Sequence, residues 1–567
     1  MQCVRDLFSL SIKEVFTNKS RICHVKKKQS TQGVNMTSFN QCRSVIRLNE
    51  LAEEPIDLTD ESNFTSKRVD SFLSEALGLK LFYAGERVSK TTIEALEDLA
   101  EERGVLELMR QMQAGEILNK IEGYPSEERK VLHTAMRDFF ENANEAPAAQ
   151  EASRWAYQEL EKLTQFLKDL EVKGTFTDMV QLGIGGSDLG PRAVYHALEA
   201  YEKPSRRAHF FSNVDPDDGA QVLRGLDLSK TLFVVVSKSG STLETLTNEE
   251  FVKSHLRKAG LDPKDHIISV TGKGSPMDDP SQYLASFYIW DFIGGRYSVT
   301  SMVGGVILAF ALGMDRFLDF LRGASAMDKI ALKSDTKTNL PLLSALLSVW
   351  NRNFLGYSTA AVIPYSQALH RFPAHLQQLN MESNGKRIDR FGKNVDFDTG
   401  PIIWGEPGTN GQHSFFQLIH QGTAVVPVEF IGFLENQNKD DILFQDTFCQ
   451  EKLLSNLFAQ SIALAAGQKN TNPNKLFPGN RSNRILLGQR LDSYTLGLIL
   501  SYYEHSVAFQ GFLWGINSFD QEGVQLGKRL ALQFIDLFAE KRGKKCNDGK
   551  GFSLGQAYFR HLFSPSS

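Results

Sequence analysis

The spacing of hydrophobic and polar residues changes along the chain. Between residues 49 and 168, apolar residues recur at helical spacing among charged ones, most clearly at 93–112 and 126–142, which predicts helices there. Four short runs rich in β-branched and aromatic residues follow, and they predict strands at residues 176–184, 208–214, 231–236 and 266–270. Helical stretches lie between these runs, for example at residues 193–201 and 243–258. Because strands and helices alternate, this part of the chain predicts a parallel α/β sheet with right-handed crossovers.

A second alternation follows a helical and linking region at residues 302–334. Its predicted elements lie at residues 358–363, 367–380, 400–404, 415–422 and 423–430. The tail from Glu451 is predicted to be mainly helical. The most economical architecture is therefore two α/β units with helical flanks.

One predicted strand of the first unit ends in the loop Ser237-Lys238-Ser239-Gly240-Ser241-Thr242. The apolar run before it shows no polar alternation, as in a strand that is buried on both faces, and a helix is predicted from Leu243. Hydroxyl groups and unpaired backbone N–H groups therefore gather at a strand's carboxyl end, where α/β sheets bind anions. No Walker lysine–serine ending is present, so a phosphorylated small molecule fits this loop better than a nucleotide.

Composition excludes several classes of protein. The 567 residues allow two or three domains, and 41% hydrophobic and 23% charged residues are typical of soluble globular proteins. A net charge of −4 gives no reason to expect nucleic-acid binding. No apolar stretch is expected to reach the roughly 18–20 residues of a membrane span, since Gly304 and Gly305 interrupt the stretch at 301–312. The five cysteines are odd in number and lack metal-binding spacing, which favours a reduced cytoplasmic compartment.

The first 45 residues form a basic leader that contains eight Lys and Arg residues but only two acids. It lacks the continuous apolar region of a secretory signal. Two interpretations stay open, an organelle transit peptide and an upstream extension with Met36 as the usual start. We favour the extension.

A second glycine-rich segment, Gly183-Ile184-Gly185-Gly186-Ser187-Asp188-Leu189-Gly190, follows a predicted strand. A dinucleotide-binding turn would need glycine at position 188, where Asp188 stands. The glycines nevertheless allow the backbone to approach a ligand, and Ser187 is placed to hold an anion or a sugar hydroxyl. A plain tight turn is as common for such a segment, but its place one strand from the hydroxyl loop favours a site.

Four further segments each offer side chains for acid–base chemistry. Two glycines precede Arg296, whose guanidinium can stabilise developing negative charge without losing its proton. Glu382 ends an amphipathic helix, where the helix dipole suits a carboxylate to accept a proton. His413 follows a turn, and histidine titrates near neutrality. Gln521 could hold a hydroxyl, and Lys528 could protonate or anchor a sugar oxygen.

Each of these residues also has an ordinary interpretation. A surface arginine, a solvated glutamate, a structural histidine and a helix-capping turn with an exposed lysine are all common features of folded proteins. None of the segments identifies a catalytic residue unaided.

Taken together and in this order, the segments resemble the glucose-6-phosphate isomerase family. The stretches at 294–298 and 515–528 resemble two family signatures, and the runs at 382–385 and 409–413 are also specific. The resemblance extends from about residue 49 to residue 563.

The resemblance implies an α/β fold with two sugar-isomerase (SIS) domains, each a mostly parallel five-stranded sheet flanked by helices, and with helical N- and C-terminal extensions. We accordingly divide the chain into a leader at 1–45, a helical N-terminal segment at 46–150 that packs on the larger domain, a smaller first domain at 151–325, and a larger second domain at 326–567 with a helical tail. The family also implies a homodimer that uses no cofactor and no metal.

The implied reaction is the reversible isomerisation of glucose 6-phosphate and fructose 6-phosphate through a cis-enediol. Glu382 would be the base that moves a proton between carbons 1 and 2, and Arg296 would stabilise the enediolate. His413, reaching in from the partner subunit, and Lys528 would open the sugar ring. The residues implied to bind the substrate are Gly186, Ser187, Ser237, Lys238 through its backbone, Ser239, Thr242 and Gln521.

Two departures from the family pattern stand out. Many members carry Thr-Phe-Thr-Thr where this chain has Ser239-Gly240-Ser241-Thr242, so the hydroxyls persist in a looser loop. Gln525 replaces a common glutamate, which alters the electrostatics near Lys528. The alternatives are an isomerase of broader specificity and a sensor that binds sugar phosphate without turnover, but a sensor would not need the acid–base residues.

Overall fold

The computed structural model describes residues 38–544 and 552–563, which leaves most of the basic leader outside the described residues. Residues 38–45, which we assigned to the leader, belong to the fold. Phe39 and Cys42 are 2% and 0% exposed and pack in the main hydrophobic core. The predicted boundary at residue 45 therefore falls inside folded structure.

The first sheet contains five parallel strands in the order β4-β3-β5-β6-β7, which confirms the predicted α/β class. The strands are β3 Asp178–Leu182, β4 Arg207–Phe211, β5 Thr231–Ser237, β6 Ile267–Thr271 and β7 Ala285–Tyr288. The sequence analysis missed β7. Every residue of β5 is buried, as its unbroken apolar run predicts.

The second sheet contains six strands in the order β1-β2-β13-β10-β8-β9, one more than we predicted for each sheet. Its four parallel strands are β8 Thr359–Pro364, β9 Ile402–Trp404, β10 Val428–Glu435 and β13 Asn483–Arg490. An antiparallel hairpin, β1 Leu73–Ala76 and β2 Leu79–Phe82, pairs with β13 at the edge of this sheet. A small separate hairpin contains β11 Leu443–Phe444 and β12 Thr447–Phe448.

Helices flank both sheets. Those before and around the first sheet are α1 Arg43–Glu53, α2 Ser66–Ser71, α3 Lys90–Glu102, α4 Val105–Ala114, α5 Pro147–Lys173, α6 Leu189–Leu198, α7 Pro216–Leu223 and α8 Leu243–Lys258. The remainder are α9 Met302–Leu312, α10 Met314–Ile330, α11 Leu340–Val349, α12 Phe372–Gln377, α13 Phe416–Gln421, α14 Cys449–Ala466, α15 Ser493–Trp514, α16 Gln525–Lys541 and α17 Ser553–Leu562.

Two predictions in the N-terminal segment are corrected by backbone geometry. The single helix predicted at 93–112 is two helices, α3 and α4, because Gly104 takes a left-handed conformation with φ of 60°. The segment predicted to be wholly helical also contains the β1–β2 hairpin. Its turn places Leu77 and Gly78 at φ of 53° and 81°, as in a tight two-residue turn.

The helix predicted at 126–142 is absent, and only a 3-10 turn at His133–Arg137 is formed. All five residues of that turn are buried, the three polar ones included. A surface helix would place His133 and Arg137 in water, whereas here Arg137 enters an internal ion network. Tertiary contacts have therefore overridden the local helical pattern.

This network lies between the N-terminal segment and two helices of the core. Arg137 Nε and Nη2 donate to Asp328 Oδ2 and Oδ1 at 2.8 and 2.7 Å, and Nη2 also donates to Glu504 Oε2 at 2.7 Å. His505 Nε2 and the Ser501 hydroxyl contact Asp328 Oδ1 at 2.6 and 2.8 Å. Burial opposes ionisation of Asp328, but Arg137 beside it holds the pKa of Asp328 well below its usual range. Burial raises the pKa of Glu504 to about 7.

One 18-residue window, Gly295–Leu312, reaches a mean hydropathy of 1.3, which corrects our expectation that no stretch is long and apolar enough to span a membrane. The fold buries 94% of this window, and only its last part, α9, is α-helical. Buried core helices pass the same composition test, so the window is weak evidence for a membrane span.

Replacing Asp328 with alanine should lower the free energy of unfolding by about 3–5 kcal/mol, because a buried guanidinium would lose its main partner. Urea titration followed by circular dichroism measures this change. The matched control is Asp98→Ala, which removes a half-exposed ion pair with Arg47 at 3.1 Å and should cost less than about 1 kcal/mol. Equal losses of unfolding free energy in the two variants would contradict the role of Asp328 as the main partner of the buried Arg137.

Candidate active site

The hydroxyl loop lies where the sequence places it, between β5 and α8. The Ser237 and Thr242 hydroxyls are 2.9 Å apart, and Ser239 Oγ accepts hydrogen bonds from the backbone N–H and the hydroxyl of Ser241. Thr242 is the N-cap of α8, but its side chain makes no capping hydrogen bond. The first N–H groups of this helix are therefore free to face an anion.

The glycine-rich loop after β3 contacts the segment that carries Arg296. A Cβ atom added to Gly186 would lie 2.2 Å from the carbonyl carbon of Gly295, so the two backbones touch only because residue 186 is a glycine. Ser187 is half-buried in the 3-10 turn Gly185–Ser187, and its carbonyl accepts a hydrogen bond from Gln181.

The Lys238 side chain connects the hydroxyl loop to the same segment. Its Nζ donates to the carbonyls of Ile293 and Asp291 at 2.9 and 3.3 Å. Burial lowers the pKa of Lys238, and the charge of Arg129 lowers it further. The predicted role of Lys238 in phosphate binding uses only its backbone. Its ammonium group instead binds the segment that precedes Arg296.

Arg296 is 1% exposed and directs all of its donors at named partners. Nε donates to Ser383 Oγ at 2.6 Å, and Nη2 donates to the carbonyls of Ser518 and Asp520 at 2.6 and 3.1 Å. Nη1 donates to Gln521 Oε1 at 3.1 Å and lies 3.2 Å from Glu382 Oε2. The structure therefore brings together three predicted site residues, Arg296, Glu382 and Gln521, around one guanidinium.

Glu382 ends a π-helical turn, Gln378–Glu382, that continues α12, so the prediction of a carboxylate at a helix end is confirmed. Its side chain is 22% exposed and faces a cleft of about 640 Å³. This volume suits a small-molecule ligand. The cleft is lined by Gln377, Gln378, Met381, Glu382, Gly385, Lys386, Ile402, Ile403, Trp404, Gln521, Gly523 and Val524.

Two predicted residues are not brought into this cluster. His413 ends the 3-10 turn Asn410–His413 and is exposed, and Lys528 is exposed on α16. Within the described residues, no hydrogen bond or ion pair joins either side chain to Glu382, Arg296 or Gln521. One chain alone therefore assembles the predicted base, the arginine and the amide, but no described contact joins the predicted ring-opening residues to them.

The sequence analysis missed three residues of the site. Gln378 lies one helical turn before Glu382, lines the cleft and has a buried amide oxygen without a partner, while its nitrogen lies close to Gly185. The i, i+4 spacing to Glu382 was the available signal. Ser383 follows Glu382 directly and Lys386 lies four positions after it, but their roles depend on contacts with distant segments.

Metal and cofactor binding receive no positive indication from the residues the structure describes. Over residues 38–544 and 552–563, no group of three or more His, Cys, Asp or Glu side chains is placed to hold a metal ion. The predicted absence of a metal and a cofactor stays a prediction.

Two helix-flanked sheets, one wholly and one mainly parallel, define the class, an α/β protein, and its cleft brings a carboxylate, a guanidinium and an amide together. A family model for phosphoglucose isomerase matches residues 82–550. The chain belongs to the phosphoglucose isomerase family.

Known proteins resemble this chain over nearly their whole length. It is 58% identical to a glucose-6-phosphate isomerase of Protochlamydia amoebophila, over 91% of this chain and 96% of the relative. A glucose-6-phosphate isomerase of Chlamydia pneumoniae is 54% identical, over 88% and 94% of the two chains. The crystal structure of a glucose-6-phosphate isomerase from Chlamydia trachomatis superposes with a TM-score of 0.89 at 49% identity, covering 93% of this chain and 99% of that one.

Replacing Gly186 with alanine should separate the glycine-rich loop from Gly295 and reduce kcat/KM about 100-fold, since displacements near 1 Å cost about that much. A steady-state assay with fructose 6-phosphate measures the loss. Gly295→Ala is the matched control, because its Cβ would meet only Gly186 Cα at 3.8 Å, an ordinary contact. A loss in the control as large as in the Gly186 variant would show that the close approach is not the cause.

Proposed function

We propose that this protein catalyses the reversible isomerisation of glucose 6-phosphate and fructose 6-phosphate by acid–base chemistry through a cis-enediol. The observation that carries the proposal is the contact of Glu382 with the buried guanidinium of Arg296 in a substrate-sized cleft. Relatives that bear the name of this activity at 50–58% identity support it.

The phosphate would bind at the edge of the first sheet. The Ser237, Ser239, Thr242 and Ser187 hydroxyls, with the backbone at Gly186 and Lys238 and the N-terminus of α8, supply neutral donors and a favourable dipole there. Binding free energy at this remote group can be used to orient the reacting carbons.

The proton transfer would take place at Glu382, in the cleft beside Arg296. Glu382 removes the proton from carbon 2 of the open-chain aldose while the carbonyl oxygen on carbon 1 gains the electron pair, which gives an enediolate. Arg296 stabilises that oxyanion. A proton then moves from the carbon-2 hydroxyl to the carbon-1 oxygen, and return of the proton from Glu382 to carbon 1 gives the ketose, while the reverse sequence regenerates the aldose. Gln521 and Gln378 would hold substrate oxygens beside the base.

The ring-opening step calls for an acid that a single chain does not place in the cleft. We propose a homodimer in which His413 completes the partner's site, with Lys528 as the second ring-opening residue. Helix α16 supports an interface, because none of its residues is buried and its exposed side chains include four large apolar ones, Leu526, Leu530, Leu532 and Ile535.

The cytoplasm is the proposed location, and the exposed free thiol of Cys449 fits a reducing compartment. The domain boundaries at residues 150 and 325 also remain a proposal. The pairing of β2 with β13 supports the view that the N-terminal segment packs on the second domain.

Glu382→Gln should reduce kcat by about 10²–10⁴-fold, because the amide cannot accept the proton from carbon 2. Binding of a non-reacting polyol, glucitol 6-phosphate, should stay within about threefold, since its phosphate contacts lie elsewhere. A coupled assay and the exchange of the carbon-2 hydrogen with deuterated water measure the chemistry. Glu522→Gln, an exposed neighbour of Gln521, is the control. A Glu382 variant that isomerises at a near-normal rate would refute the base assignment.

Mixed subunits test whether His413 acts across an interface. Glu382→Gln and His413→Ala homodimers should each be nearly inactive. After dissociation and random reassociation, half of the dimers would be hybrids with one intact site, so about a quarter of the wild-type activity should return. No recovery, despite hybrid dimers detected by native mass spectrometry, would place both residues in a site formed by one chain.

A further inference from the structure

Lys386 is a charged side chain in the cleft that neither the sequence motifs nor the proposed proton transfer uses. It follows the helix that ends near Glu382, and its side chain is only 16% exposed. Its Nζ donates to the carbonyls of Glu382 and Ser383 at 2.9 and 3.0 Å. On the other side it donates to the carbonyl of Asp520 at 3.1 Å and pairs with Asp520 Oδ1 at 3.1 Å.

These contacts complete a helix end that would otherwise leave acceptors unpaired. Gly385 N–H bonds to the carbonyl of Met381, and Lys386 N–H bonds to that of Asn384. The carbonyls of Glu382 and Ser383 therefore depend on the Lys386 ammonium group. A lysine that served only as a cap would need no further partner.

The further partner, Asp520, belongs to the segment that supplies Gln521 to the site. Asp520 is 8% exposed, and its carboxylate also accepts a hydrogen bond from Asn517 at 2.8 Å. One ammonium group thus joins the turn that carries the base to the loop that carries the substrate-binding amide. The two segments are more than 130 residues apart in sequence, since the contact between Lys386 and Asp520 spans 134 positions.

We propose that Lys386 is a positioning residue for proton transfer, which fixes the backbone beneath the Glu382 carboxylate relative to Gln521 and Arg296. The inference rests on the proposed function, because the positioned group is the proposed base. Lys386 itself touches neither reacting carbon in this assignment.

The electrostatic surroundings agree with a charge held in place. Burial lowers the pKa of Lys386, and the charge of Asp520 opposes that shift most strongly. Arg296 lowers the pKa further, and Glu382 raises it. The charged groups that act on the ammonium are therefore one other cation and two carboxylates, so two positive and two negative charges lie at or beside the cleft.

Lys386→Met keeps most of the length and the apolar stem of the side chain and removes its charge and donors. We expect kcat for fructose 6-phosphate to fall about 100-fold, because a base displaced by about 1 Å loses that much. KM and the Kd for glucitol 6-phosphate should stay within about threefold, since the proposed phosphate-binding loop lies at the first sheet. Lys386→Arg should recover at least about tenfold in kcat, because a guanidinium can restore both sets of contacts.

Lys393→Met is the matched control, because Lys393 is exposed and seven residues farther along the chain. It should change kcat by less than about twofold. Asp520→Asn provides a second route to the same contact, in case the methionine variant does not fold. It removes the charged partner but keeps the carbonyl acceptors, and its kcat should fall about tenfold with an unchanged Kd for glucitol 6-phosphate.

A Lys386→Met enzyme with kcat within about threefold of wild type would overturn the inference. So would a variant whose affinity for glucitol 6-phosphate falls together with kcat, since that pattern indicates general disruption of the cleft. If Lys386→Met does not fold, a normal kcat in Asp520→Asn overturns it equally. An inactive wild-type enzyme would instead overturn the proposed function itself.

Discussion

The buried guanidinium of Arg296 is the interaction on which the rest of the site depends. A cation 1% exposed to solvent is stable only when its donors are matched, and the five partners of Arg296 come from two separate segments of the chain. The turn after Glu382, the loop at 518–521 and the glycine pair before Arg296 must therefore reach the same point. The close contact of Gly186 with Gly295 then brings the glycine-rich loop of the first sheet to that point as well.

Because every donor of Arg296 already has a partner in the protein, the ways in which its guanidinium can contact a substrate are limited. Its contacts with the backbone carbonyls of Ser518 and Asp520 are set by the fold, whereas those with Glu382 and Gln521 are made by side chains at the cleft. A substrate oxygen can approach the guanidinium only by replacing or sharing one of these side-chain acceptors. Because the donors are already oriented in the protein, stabilising a developing oxyanion requires little reorganisation.

The local sequence pattern predicted the structure correctly where a segment's conformation depends on residues near it in sequence. Helix α8 begins and ends where periodicity predicts, and the hydroxyl loop before it follows from a strand and a helix that adjoin in sequence. The sequence analysis failed where the partner was remote. The segment at 126–142 has a helical pattern, but Arg137 pairs with Asp328, 191 positions away, and the local helix is lost. The β1–β2 hairpin is likewise stabilised by pairing with β13 at the edge of the second sheet, which no local spacing reveals.

The same distinction applies within the site. Motifs identified Glu382, Arg296 and Gln521, because each has a recognisable context, but only the fold shows that Lys386 and Asp520 pair beside them. These two charges balance each other, as Arg296 and Glu382 do. In the proposed mechanism Glu382 takes a proton from carbon 2 and its negative charge passes to the substrate, so the sum of charges over the cleft is unchanged. The total charge that the two cations face is therefore the same before and after the transfer, and the negative charge moves by only a few bond lengths. Under this condition a fixed arrangement of dipoles and charges lowers a barrier most.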